Sequence, residues 1–171
     1  MTHSAALDAF LSFAVLVALA AIAFHAITRR VGTTGAKALR GPAWVTDGDT
    51  IVIRGRQVRL FGIDAPELHH PYGQNAKGAL IRLCNGQIIH AEIMTQDVHG
   101  RIVARCRLPD GRDLSAEMVK LGLAIDWPKF SGHEYRQFEV QDVRKKLWLA
   151  DARQRGRMDV WQRYEARRDD R

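Results

Sequence analysis

Hydrophobic and polar positions alternate with a period of two through much of the middle of the chain. "AWVT" (43–46) and "TIVIRGRQVRLFGI" (50–63) read as β-strands, with Arg54-Gly55-Arg56 as a hairpin turn. "QIIHAEIM" places Ile89, Ala91 and Ile93 on one face. "RIVARCRL" places Ile102, Ala104, Cys106 and Leu108 on one face, and Arg105 and Arg107 on the other. "LAIDW" predicts one more short strand. In "GQNAKGALIRLC" the period lengthens: Ala76, Leu80, Leu83 and Cys84 recur at helical spacing, and Asn85-Gly86 ends the run. "DLSAEMVKLG" predicts a short helix capped by Asp113 and stopped at Gly122. From His133 to about Gly156 the charged run predicts a longer helix with Val140, Val143, Leu147 and Ala150 inward. Trp161 would anchor the charged tail. About five strands and three helices, with the first helix after the third strand, predict an α+β domain on a five-stranded Greek-key barrel.

The N-terminus follows neither period. Residues 9–28, "AFLSFAVLVALAAIAFHAIT", carry no Asp, Glu, Lys or Arg. A transmembrane helix needs about 20 such residues. A signal peptide has a shorter apolar segment after a positive stretch, and "MTHSAALD" has no Lys or Arg. The segment therefore reads as an uncleaved anchor, with cleavage near "AIA" or "AFHA" as the alternative. The chain then divides into a membrane anchor (1–28), a Gly- and Thr-rich linker (29–42), a folded domain (43–161) and a charged tail (162–171).

Net charge sharpens the picture. The chain carries +7, and its first 28 residues contain no Lys or Arg, so the excess lies in the domain and linker. A basic domain favours polyanionic partners: nucleic acid or an anionic membrane face. Cys84 and Cys106 form no CxxC motif and are too few for a disulfide scaffold. Both read as small buried hydrophobes, with a Cys84–Cys106 disulfide open in an oxidising compartment.

The acidic residues carry the candidate chemistry. Asp47 and Asp49 flank Gly48 in "DGDT", and Asp64 and Glu67 bracket Ala65-Pro66 in "DAPE". If 50–54 and 57–63 pair as a hairpin, the two acidic loops meet at its open end. Converging carboxylates need a cation, a proton or arginines, and oxygen ligands on loops suit Ca²⁺ or Mg²⁺. Arg59, mid-strand between Val58 and Leu60, needs a partner. Arg101 opens a later strand. Two guanidiniums beside a carboxylate-bound ion would suit a phosphodiester, which arginine matches bidentately.

"DGDT", "RLFGIDAPE", "DVHGR" and "MVKLGLA", with a basic C-terminal helix ending near a Trp, resemble the staphylococcal nuclease-like, or thermonuclease, family over roughly residues 43–161. The resemblance implies an OB-fold-like barrel and Ca²⁺-dependent hydrolysis of DNA and RNA with low sequence specificity, leaving 3′-phosphates. It implies one Ca²⁺ held by Asp49, Asp64 and the Ala65 carbonyl, with Asp47 close behind. Glu67 would activate water, and Arg59 and Arg101 would hold the phosphate and stabilise charge in the transition state.

His99 departs from the pattern, standing where many members have Tyr. His69 and His70 read as solvated loop histidines in preference to metal ligands. Trp127 is expected to pack under the loop that follows it, with base stacking as the alternative. Two other classes stay open: a non-catalytic, membrane-tethered nucleic-acid-binding barrel, and an adaptor whose basic surface meets lipid or protein. The retained Asp49, Asp64, Glu67, Arg59 and Arg101 argue against the first, and the second leaves the acids unexplained. Arg29-Arg30 would hold the domain in the cytoplasm by the positive-inside rule. The nuclease reading favours an extracytoplasmic, membrane-attached monomer.

Overall fold

The computed structural model describes residues 38–169. The expected anchor at 9–28 lies outside the described residues. Among the described residues, no helix is long and apolar enough to cross a membrane.

The described residues hold seven strands in order: β1 (Ala38–Val45), β2 (Thr50–Ile53), β3 (Arg56–Leu60), β4 (Ile63–Asp64), β5 (Ile88–Gln96), β6 (Ile102–Arg107) and β7 (Ile125–Asp126). Five of them close into a barrel in the order β1-β2-β3-β6-β5, and β4 and β7 form a two-stranded ribbon. The predicted hairpin is present, with Thr50 opposite Arg59 and Ile53 opposite Arg56. Arg54 and Gly55 form its turn, both at positive φ. Alternation sends Ile51, Ile53, Val58, Leu60, Ile89, Ala91, Ile102, Ala104 and Cys106 into the core. The β3–β6 pair is parallel, with Arg59 opposite Val103. Because cross-strand partners share a face and side chains repeat every second residue, Arg59, Arg101 and Val103 lie on one side of the sheet.

The first strand starts earlier than expected. Ala38–Pro42, assigned to the linker, pair antiparallel with β5. Gly41-Pro42 suggested a linker, yet here it marks a change of partner. Pro42 is the last residue paired to β5, and Ala43 the first paired to β2.

Helix α1 (Gly73–Cys84) has the predicted bounds and buries Ala76, Ala79, Leu80 and Cys84. Helix α2 (Leu114–Lys120) is capped as predicted: the Asp113 carboxylate accepts from the backbone N–H groups of Ser115 and Ala116 at 2.8 and 3.3 Å. Both cysteines are buried and free, so they are core hydrophobes and not a disulfide.

The helix expected over 133–156 is broken. Its span holds a 3₁₀ turn (Arg136–Phe138), α4 (Val143–Lys146) and α5 (Trp148–Gln154), after a one-turn α3 (Pro128–Ser131). Asp142 adopts φ 58°, and Leu147 leaves helical geometry at φ −97°, ψ 44°. Glu139 is extended, and its carboxylate accepts from the Asp126 N–H at 3.0 Å and from Arg144 Nη2 at 2.6 Å. Val143, Leu147 and Ala150 still face inward, packed with Ile125, but Val140 is exposed. Helix α6 (Met158–Asp169) runs across the expected domain end at 161 into the charged tail.

Candidate active site

The hairpin's open end sets the floor of the site. Asp49 is buried, and its carboxylate takes both arms of Arg59, Nη1 to Oδ1 at 2.9 Å and Nη2 to Oδ2 at 2.8 Å. The Thr50 hydroxyl and the Ala65 N–H complete its partners at 3.1 and 3.3 Å. Asp47 accepts from the Asp49 backbone N–H at 3.1 Å, which fixes the turn between them. Gly48 is needed there: a Cβ would lie 2.7 and 2.8 Å from the β-carbons of Ala76 and Ala65. The turn therefore packs directly on α1 and the second acidic loop.

That second loop begins in β4, where the fully buried Asp64 pairs with Ile125 of β7. Arg59 Nη2 lies 3.7 Å from Asp64 Oδ1, so one guanidinium spans both aspartates. Beyond Pro66 the Glu67 carbonyl accepts from the His70 N–H at 2.9 Å, and Gly73 opens α1 directly beneath it. Any Cβ at Gly73 would overlap the Glu67 carbonyl. Burial, then Asp49 and Asp47, hold the Glu67 carboxyl above the ordinary glutamate range, with Arg59 opposing them. Asp47 is raised likewise, by burial and by Asp49.

Arg153, near the end of α5, joins the acids at the floor of the cleft, and sequence reasoning missed it. Its Nε donates to Asp64 Oδ2 at 3.1 Å, and its Nη2 to Asp64 Oδ1 and, at 3.2 Å, to the Ala65 carbonyl. Its Nη1 donates to Glu67 Oε1 at 2.5 Å. The guanidinium lies between the rings of Trp127 and Trp161, 5.8 and 5.0 Å from their centroids. Burial, with repulsion from Arg59, lowers its pKa to about 10, so it remains cationic at neutral pH.

Helix α6 clamps the Glu67 loop from the other side. His70 is buried, edge-on to Trp161 and Tyr164, where a solvated histidine was expected, while His69 is exposed as expected. The Nε2 atoms of His69 and His70 meet Glu165 Oε1 at 3.0 and 2.8 Å. These three ligand atoms lie within 4.8 Å of one another, a spacing that could hold a metal ion. Ligation through Nε2 would put the proton on His70 Nδ1, which is buried with no hydrogen-bond partner among the described residues. The other Glu165 oxygen pairs with Arg168 at 2.5 Å. The trio therefore reads as a hydrogen-bonded clamp. Trp161 anchors α6 as expected, donating from Nε1 to the Leu149 carbonyl at 2.7 Å.

A cleft of 620 Å³ opens above this floor, lined among others by Asp47, Asp49, Arg59, Glu67, Arg101 and Arg153. Asp64 and Ala65 lie buried beneath. Arg101 reaches the cleft wall but not the acids; its Nε is held by Asp97 Oδ2 at 2.7 Å. His99 lines the rim. Trp127, expected to pack under a following loop, instead meets Phe130 of α3 edge-on and lines the cleft. Six of the seven sequence-predicted residues thus converge, and Arg101 stands apart on the cleft wall.

The donor set suits a hard cation. Two buried aspartates and a backbone carbonyl offer oxygen only, as Ca²⁺ requires. Those same oxygens now hold guanidinium groups, so the site is built to balance negative charge with positive charge.

A five-stranded OB-like barrel with an acid-and-arginine cleft at its hairpin end defines the class. The family "Staphylococcal nuclease homologue" matches residues 57–161, well over half of the chain, and the chain belongs to that family. The matched span includes Arg59, Asp64, Ala65, Glu67, Arg101 and Arg153, and starts after Asp47 and Asp49. A probable staphylococcal-like nuclease of Oryza sativa subsp. japonica is 32% identical over 111 residues, 63% of this chain and 33% of that protein. A probable endonuclease of Phaeosphaeria nodorum is 35% identical over 108 residues, 57% of this chain and 36% of that protein. An uncharacterized endonuclease of Escherichia coli is 29% identical over 111 residues, 61% and 72% of the two chains. The chain thus spans about a third of the first two relatives' length.

Proposed function

We propose that this protein is a Ca²⁺-dependent nuclease that hydrolyses phosphodiester bonds of DNA and RNA with low sequence specificity, leaving 3′-phosphates. The observation that carries the reading is the meeting of Asp49, Asp64 and Glu67 with Arg59 in one cleft, whose wall brings Arg101 from a distant strand.

Asp49, Asp64 and the Ala65 carbonyl would hold the ion, which when bound supplies charge stabilisation to the phosphoryl oxygens. Glu67, with a raised pKa and a side chain 38% exposed, takes a proton from water at the cleft surface. Arg59 and Arg101 face the same side of the β3–β6 pair and offset the charge of the phosphodiester as it gains an oxygen. Guanidinium keeps its proton at neutral pH, so Arg101 serves as a charge and not as an acid. Trp127 offers an aromatic wall for a base. The apolar segment 9–28 would tether a monomeric domain to a membrane, facing away from the cytoplasm. Protease protection on intact cells tests that placement, and cleavage seen only after lysis refutes it.

The activity is tested on the full chain with single- and double-stranded DNA and RNA, in Ca²⁺ or chelator, beside Glu67→Ser. Ca²⁺-dependent cleavage that the variant lacks supports the proposal. Chelator-insensitive binding without cleavage would move the reading to a non-catalytic nucleic-acid-binding barrel.

A further inference from the structure

We infer that Arg153 is a tethered competitor for the metal position: its guanidinium must leave Asp64 and Ala65 before a divalent ion can use them, so the site is self-plugged. This rests on the reading that Asp49, Asp64 and the Ala65 carbonyl take the ion.

The competition is atom for atom. Arg153 engages both oxygens of Asp64 and the carbonyl oxygen of Ala65, which are two of the three proposed ligand groups. Its remaining arm holds Glu67 Oε1 at 2.5 Å, so the plugged form also occupies the base that would take a proton from water. Asp49, the third ligand, is covered by Arg59. Arg59 also reaches towards Asp64, but only to 3.7 Å, so Arg153 is its closer partner.

Charge permits the exchange, and geometry requires it. Asp47, Asp49, Asp64 and Glu67 face the two guanidiniums of Arg59 and Arg153, and replacing one positive charge by two leaves the acids better balanced. The oxygens of Asp64 and Ala65 that hold Arg153 are the ones the ion would use, so the two do not share them. Arg59 and Arg153 already crowd the same Asp64 Oδ1.

The tether allows the exchange. Arg153 stands one residue from the end of α5, followed by a turn in which Gly156 has positive φ. Its long side chain can swing without moving the barrel. Trp127 lines the open cleft, so a displaced guanidinium keeps an aromatic face near the place a phosphate would occupy. The ion thus sets Glu67 free as it binds.

The test measures Ca²⁺ binding by calorimetry on the nucleic-acid-free full chain, with Tb³⁺ luminescence sensitised by tryptophan as a second probe. Arg153→Met keeps most of the side-chain length and removes the charge. It is expected to bind Ca²⁺ roughly ten-fold or more tightly than wild type, with Arg153→Lys in between. Equal or weaker binding by Arg153→Met, with wild type binding normally, overturns the inference and leaves the metal reading standing. Absence of binding in both proteins overturns the two together. If Arg153→Met does not fold, the wild type still decides. The Arg153 Nε–H resonance should lose its hydrogen-bonded shift as Ca²⁺ saturates, and an unchanged resonance overturns the inference.

Discussion

The α-carbon of Gly73 lies so close beneath the carbonyl of Glu67 that no side chain fits between them. The first residue of α1 is thereby the platform for the proposed base. Gly73→Ala should push the Glu67 loop outward, costing about 1–3 kcal/mol of stability as overpacking does, and lowering kcat more than substrate affinity. Denaturant unfolding and steady-state kinetics check both. Wild-type stability and kcat in the variant would show that the loop adapts freely.

Arg59 balances Asp49 through both arms of its guanidinium. Arg59→Gln leaves a buried carboxylate short of its main partner, so the metal-free protein should lose roughly 3 kcal/mol. Ca²⁺ should restore part of that loss by taking over the charge. Urea denaturation with and without Ca²⁺ measures it; a loss that Ca²⁺ does not reduce argues against Asp49 as a ligand.

Glu67 must be deprotonated to act as a base, and its pKa is raised above the ordinary 4.5 by burial and by Asp49 and Asp47. The metal-free protein should therefore show a carboxyl that titrates above 4.5 by NMR, and the form of Glu67 able to take a proton is lost as pH falls through that value. Asp47→Asn removes one of the raising charges and should move that titration down. A titration that stays put in Asp47→Asn removes Asp47 from the account.

His70 gives stability its own pH dependence. Burial lowers its pKa below 6.5; His69 and Arg168 push the same way, and Glu165 opposes. The unfolded chain then binds more protons than the folded one just below 6.5. Stability is full above that value and declines as pH falls from it towards the lowered folded value. Glu165, held low by its bond to His70, adds a second loss further down as it protonates. Thermal melts between pH 7 and 5 should drop in wild type and flatten in His70→Gln. Parallel curves for the two proteins would remove His70 from the account.

How much of this was legible beforehand follows physical locality. Asp47, Asp49, Arg59, Asp64 and Glu67 belong to one hairpin and the loop after it, so alternation and turn chemistry alone bring them together. Arg101 needs the parallel β3–β6 register, which no local pattern encodes; the family resemblance supplied it. Arg153 was hidden among 26 Lys and Arg residues, in a charged run read only for its helical repeat. Gly73 matters through a backbone approach that spacing cannot reveal. The break in the long helix comes from Glu139 and Arg144 bonding back to Asp126, a tertiary preference that overrides a helical repeat. Gly41-Pro42 hid the start of β1 because a change of strand partner and a linker share the same residues.

The parallel pairing of β3 with β6 also orders events in time. A chain emerging from the ribosome completes the hairpin, and with it every acid of the cleft, long before Arg101 and Arg153 exist. Until β6 is in place the acids have one guanidinium to balance them and the cleft has no far wall. A truncated or half-made copy would therefore carry the carboxylates with only Arg59 beside them, lacking two of the three guanidiniums that line the finished cleft.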